Sequence, residues 1–123
     1  VIGVEAAPHT TLTDKHRRHS IVSFMEHFKY IVDLVGIDHV AFGPDTLYGD
    51  HVGLHHAMLG NLSLKDLLGT QSFEEVDYVQ GLENPTETSK NIIRWLVKEN
   101  YSDEEITKVL GGNILRVLRQ VWQ

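Results

Sequence analysis

Val1-Ile2-Gly3-Val4 opens the chain as an apolar, β-favouring run that gives out at Ala6-Ala7-Pro8, which predicts a strand. A polar stretch rich in Thr, His and Arg follows from His9 to His19. Ser20 then stands as an N-cap before Ile21, Phe24, Met25, Phe28, Ile31, Val32 and Val35, whose steps of three and one trace a single helix face. Gly36 ends that helix. His39-Val40-Ala41-Phe42-Gly43 is a second apolar run with a sharp exit at Gly43-Pro44-Asp45, and reads as a buried strand. Strand, helix, strand within about forty residues is a βαβ unit, with parallel strands and a right-handed crossover.

From Tyr48 to Gln80 the periodicity weakens and the segment reads as an insertion. Within it, residues 51–59 fit a short helix and 63–68 a turn or two, while 72–78 is acidic and fits neither pattern. Pro85 then opens a strong helix through Ile92, Ile93, Trp95, Leu96 and Val97, running to about Asn100. Ser102-Asp103-Glu104-Glu105 has the form of a capping box and starts a helix through Ile106, Val109 and Leu110. Gly111-Gly112 is expected to break it, and Ile114, Leu115, Val117, Leu118 and Val121 mark a last amphipathic helix. The helical spacing of Phe24, Phe28, Trp95 and Trp122 assigns these aromatics to the core. The chain thus divides into residues 1–47 (two strands and their crossover helix), 48–80 (insertion) and 81–123 (C-terminal helices).

Composition narrows the classes. At 41% apolar and 23% charged, the 123 residues are those of an ordinary globular domain or part of one. Because the chain is already inside a strand at Val1, we expect a piece of a longer protein. There is no apolar run near the roughly 20 residues that cross a bilayer, so no membrane segment is expected. Eleven Lys and Arg against 17 Asp and Glu give a net charge of −6, which argues against nucleic acid as a partner. Protonating all eight histidines would carry that charge to +2, so the surface field should respond to pH between about 5 and 7. Without cysteine, disulfides, thiolate metal sites and cysteine nucleophiles are excluded, which fits a reducing, cytoplasmic compartment.

Asp45 is the leading candidate for chemistry, because functional groups of α/β folds gather just past the C-terminal ends of parallel strands. A carboxylate there can bind a metal or take a proton from an activated water, although Asp after Pro44 also suits a simple turn. His51 and His55 are four apart and would share a helix face, with Asp50 and His56 beside them, but no third metal ligand is set by spacing. Glu5 falls at the exit of the first strand, where it could enter a site or pair with a cation. His9, His16, His19 and His27 read as surface histidines, and Asn113 as a helix cap or a loop-holding side chain. Phosphate loops and nucleophile elbows are absent from the sequence.

Three separated stretches, Val35-Gly36-Ile37-Asp38-His39-Val40-Ala41-Phe42-Gly43-Pro44-Asp45, Gly81-Leu82-Glu83-Asn84, and Tyr101-Ser102-Asp103-Glu104-Glu105-Ile106 with Leu110-Gly111-Gly112-Asn113-Ile114-Leu115-Arg116-Val117, resemble the C-terminal end of the membrane (renal-type) dipeptidase family. That family belongs to the metal-dependent amidohydrolases. The resemblance implies the C-terminal portion of a (β/α)8 TIM-type barrel, with residues 1–6 as the seventh strand and 39–43 as the eighth. It implies two zinc ions whose ligands lie on strands outside this chain, and a dipeptide substrate. Asp45 then corresponds to the eighth-strand aspartate that meets the substrate, accepts a proton from the attacking water and passes it to the departing amine. Where the family commonly continues Phe-Asp-Gly, this chain has Thr46-Leu47-Tyr48-Gly49-Asp50, and it lacks the aromatic residue some members carry at the end of the seventh strand.

The resulting expectation is an α/β segment of a zinc-dependent dipeptidase that supplies the general base, is inactive alone, and self-associates through surfaces an incomplete barrel leaves open. The rival from another class is a non-catalytic α/β binding or regulatory module with a histidine-rich polar face.

Overall fold

Residues 1–59 and 76–122 are described by the computed structural model. The two apolar runs form strands β1 (Ile2–Glu5) and β2 (Val40–Gly43), paired in parallel with Ile2 opposite Val40 and Glu5 opposite Gly43. Between them lies helix α1 (Ile21–Val35), as the βαβ pattern requires. Its start is a capping box of two serines: Ser23 N–H donates to Ser20 Oγ at 3.4 Å and Ser20 N–H to Ser23 Oγ at 3.1 Å. Its end is Gly36, at φ 83°, whose N–H reaches Val32 O.

Period-two alternation decides what each strand face meets. Val4, Val40 and Phe42 join the core with α1, and the Phe42 ring stacks on Phe28 at 4.7 Å and tilts against Phe24 at 5.8 Å. Of the seven apolar positions on α1, Phe24, Met25 and Phe28 are fully buried, while Ile21, Ile31, Val32 and Val35 are half-buried.

After β2 comes helix α2 (His51–Leu59), where the sequence suggested a short helix. The turns expected at 63–68, and 72–75 of the acidic stretch, lie outside the described residues. Val76 N–H donates to Pro8 O, Val79 enters the core, and Gln80 follows, whose N–H bonds His19 O and whose carbonyl accepts from Ile21 N–H, a bridge beside the α1 cap. Helix α3 (Pro85–Lys98) follows, with Asn84 Oδ1 capping Thr86 N–H at 2.9 Å and Pro85 at its first position. Ile92 and Leu96 are its core residues. Helix α4 (Asp103–Thr107) starts at the expected capping box, with Ser102 N–H donating to Glu105 Oε2 at 2.8 Å and Glu105 N–H to Ser102 Oγ at 3.3 Å.

Gly111-Gly112 interrupts the helix as expected, and the two helices on either side meet there at a kink. Residues 108–112 form a widened π turn in which Gly111 leaves helical geometry (φ 164°, ψ −25°) and Asn113 N–H reaches back to Lys108 O. Helix α5 (Asn113–Val121) continues from it. The aromatic assignment needs correction: Trp122 is 77% exposed, because among the described residues α5 meets no partner along much of its apolar side, where Ile114, Leu115 and Val121 are exposed as well. Trp95 is half-buried against Tyr101.

Candidate functional site

At the C-terminal ends of the strands, the alternation that sends Val4 and Phe42 into the core puts Gly3 and Glu5 of β1 on the other face with Ala41 and Gly43 of β2. A Cβ added at Gly3 or Gly43 would meet nothing within 4 Å, so this face is open beside the backbone. Asp45 follows Pro44 at φ 51°, a left-handed conformation that Asp tolerates better than most residues but that still costs on the order of 1 kcal/mol. It is exposed, and with Gly3, Glu5, Gly43, Pro44 and Thr46 it lines an open recess of ≈ 600 Å³. On its other side Asp45 borders a small crevice with Leu47, Ala6, Pro8 and Leu82. The structure therefore brings the two carboxylates singled out in the sequence, Glu5 and Asp45, to one surface at the strand mouth. Sequence alone did not give this pairing, because it depends on the strand register.

The histidines are distributed differently. His19 is not a surface residue: it is 7% exposed, with Nδ1 2.8 Å from Oγ1 of buried Thr11. The loop 9–19 is tied back to α1 through Glu26 and His27. His27 Nε2 lies 3.3 Å from Leu12 O, and His16 and Lys15 pair with Glu26 at 3.7 and 3.3 Å. Thr13 also donates a short hydrogen bond to Glu26, and this, ahead of the Lys15 and His16 charges, holds the Glu26 carboxyl below the usual carboxylate range. These contacts tether the loop and gather no catalytic constellation. His51, His55 and His56 stand on α2, one turn separating the first two, but their side chains lie outside the described residues.

Among the described residues no group of three or more His, Asp or Glu is placed to hold a metal ion. A catalytic zinc takes three protein ligands, so Asp45 and Glu5 do not amount to a metal centre. Nor is any described helix long and apolar enough to cross a membrane.

The contact that sequence reading left open is made by Asn113. It is 2% exposed, and its Nδ2 donates at 2.8 Å to both Ile37 O and Val40 O, at the entry to β2. Arg116 donates to Asp38 O at 2.8 Å, and Lys108 pairs with Asp38 and Glu104 at 3.0 Å each. An Asn placed inside a helical path, where it is a poor helix former, is the signal that marks it. The C-terminal helices are thus clamped to the strand that leads to Asp45.

The family model of membrane dipeptidase (peptidase family M19) matches residues 68–123. The matched stretch lies C-terminal to Asp45 and contains α3, the capping box of α4, Asn113 and α5. No curated protein and no solved structure matches the chain.

Proposed function

We propose that this chain is the C-terminal part of a metal-dependent dipeptidase, with β1 and β2 as the last two strands of a (β/α)8 barrel and Asp45 as its general base. The observation that carries the reading is the clamp. The segment matching the membrane dipeptidase family holds, through Asn113, the entry of the strand whose exit presents Asp45. Parallel strands with a carboxylate just past their C-terminal ends are the arrangement in which barrel enzymes place their chemistry.

In this reading the zinc ions and their ligands belong to parts of the barrel outside these residues, and when bound they lower the pKa of the attacking water. The role of this chain's own residue is proton transfer. Asp45 takes the proton of the water that attacks the peptide carbonyl and delivers it to the leaving amine. The open recess leaves its carboxylate accessible for both events. The 123 residues alone then hydrolyse nothing, since one proton acceptor without a water-activating centre gives no turnover.

In the protein with its complete barrel, Asp45→Asn should lower kcat for dipeptide hydrolysis by about 10²–10⁴ while bound zinc and far-UV circular dichroism stay unchanged. A variant retaining a third or more of the wild-type rate would remove Asp45 from the chemistry. Turnover of dipeptides by the purified 123-residue chain with added zinc would refute the division of labour.

A further inference from the structure

The hydroxyls of Tyr48 and Thr86 share a hydrogen bond that ties the loop after β2 to the first turn of α3. Tyr48 is 76% exposed, so its phenolic oxygen, rather than burial of its ring, secures it. Thr86 is a fixed anchor: Asn84 Oδ1 accepts from its backbone N–H at 2.9 Å, and Pro85 precedes it. The loop so tied bears Asp45 and Gly49, at φ 51° and 126°. A non-glycine residue in the left-handed region relaxes unless its surroundings hold it, and such residues collect where function needs a fixed geometry. Pro44 restrains Asp45 from the strand side. The Tyr48–Thr86 bond restrains it from the other.

We propose that Tyr48, anchored by Thr86, is a positioning residue that keeps the Asp45 carboxylate at the strand mouth; the inference rests on the dipeptidase reading of Asp45. Tyr48 acts through Thr46 and Leu47, which separate it from Asp45, and not by contact with the reacting atoms.

The test uses the zinc-loaded protein with its complete barrel and a dipeptide the wild type hydrolyses. Tyr48→Phe removes one exposed oxygen, and Thr86→Val keeps the N–H that Asn84 caps, so both variants should fold. Each is expected to lower kcat about 3- to 10-fold per folded molecule with KM unchanged, the scale of one lost hydrogen bond. The double variant should be no slower than either single one, and Thr86→Ser should retain the wild-type rate. Unchanged kcat, losses that multiply in the double variant, or a change confined to KM would overturn the proposal. If the wild type turns over no dipeptide, the reading beneath the inference fails with it, and the wild-type rate tells the two failures apart.

Discussion

Replacing Asn113 by Ala removes two hydrogen bonds that differ in kind. The bond to Val40 O is buried, so truncation removes a hydrogen bond where water cannot readily replace it, at about 1–3 kcal/mol. The bond to Ile37 O is only partly buried, so water can take the donor's place and the loss is nearer 0.5–1.5 kcal/mol. Together they predict a destabilisation of about 2–4 kcal/mol, read from urea unfolding followed by far-UV circular dichroism with the slope unchanged. Asn113→Asp separates hydrogen bonding from packing, since it keeps the shape and puts an oxygen where Nδ2 now lies 2.8 Å from both carbonyls. At pH 7 it should be more damaging than Ala. Burial and the two facing oxygens would raise the new carboxyl's folded pKa above its unfolded value, so its deficit should shrink as pH falls and the group protonates. An Asn113→Ala variant within about 0.5 kcal/mol of wild type, or an Asp variant no worse than Ala at pH 7, would refute the clamp.

Other outcomes follow from the same geometry. Gly81 has φ 86° and a Cβ there would lie 3.0 Å from Ile21 Cγ2, so Gly81→Ala should cost more than about 1 kcal/mol in the same unfolding assay; a neutral result would contradict both the strain and the close approach. Glu26, Asp38, Glu87 and Glu105 all titrate below their ordinary values, led respectively by hydrogen bonds from Thr13, Lys108, Lys90 and the Ser102 backbone. Their stabilisation is complete above the unfolded carboxylate range and lost as pH falls through the folded values, so stability should decline below about pH 4.5; a flat profile from pH 5 to 2 would refute it. Lys108, raised by Glu104 and Asp38, and Tyr101, raised by burial, have the opposite sign: their contribution is full below the unfolded pKa and is lost as pH rises through the folded one. Finally, the apolar side of α5 should drive self-association, so Leu115→Lys with Trp122→Lys should lower the sedimentation-derived mass of the isolated chain; an unchanged monomer at high concentration in both would count against it.

What the sequence disclosed was local. Ser20, Gly36, Pro85 and Ser102-x-x-Glu105 are local helix signals, and each helix boundary they mark is present, with Asn84 added by the structure as the cap before Pro85. The parallel pairing of β1 and β2 also followed, from apolar runs separated by a helix. Contacts between distant segments did not. His19 was legible as polar, but its burial depends on Thr11 and on the loop being tied back to α1. Gly111-Gly112 marked the interruption between the last two helices, but not the bonds by which Asn113, just beyond it, reaches Ile37 O and Val40 O. At the site, Asp45 was marked by its place after a strand, whereas its company with Glu5 follows from register, and the Tyr48–Thr86 tie joins residues with no shared pattern.

The bridge between Gln80 and the residues flanking Ser20 has an architectural consequence. The excursion that departs at Pro44 comes home to a docking point on α1 that is independent of the route taken between. Closure entropy grows only logarithmically with the length of such a detour. Changes of length between Leu59 and Val76 should therefore leave the strands and the flanking helices in place, whereas Asp45 and Tyr48 before that interval and the buried Val79 after it are held by their own contacts. Within this chain, that interval is the natural position for new sequence to be accepted without redesigning the scaffold.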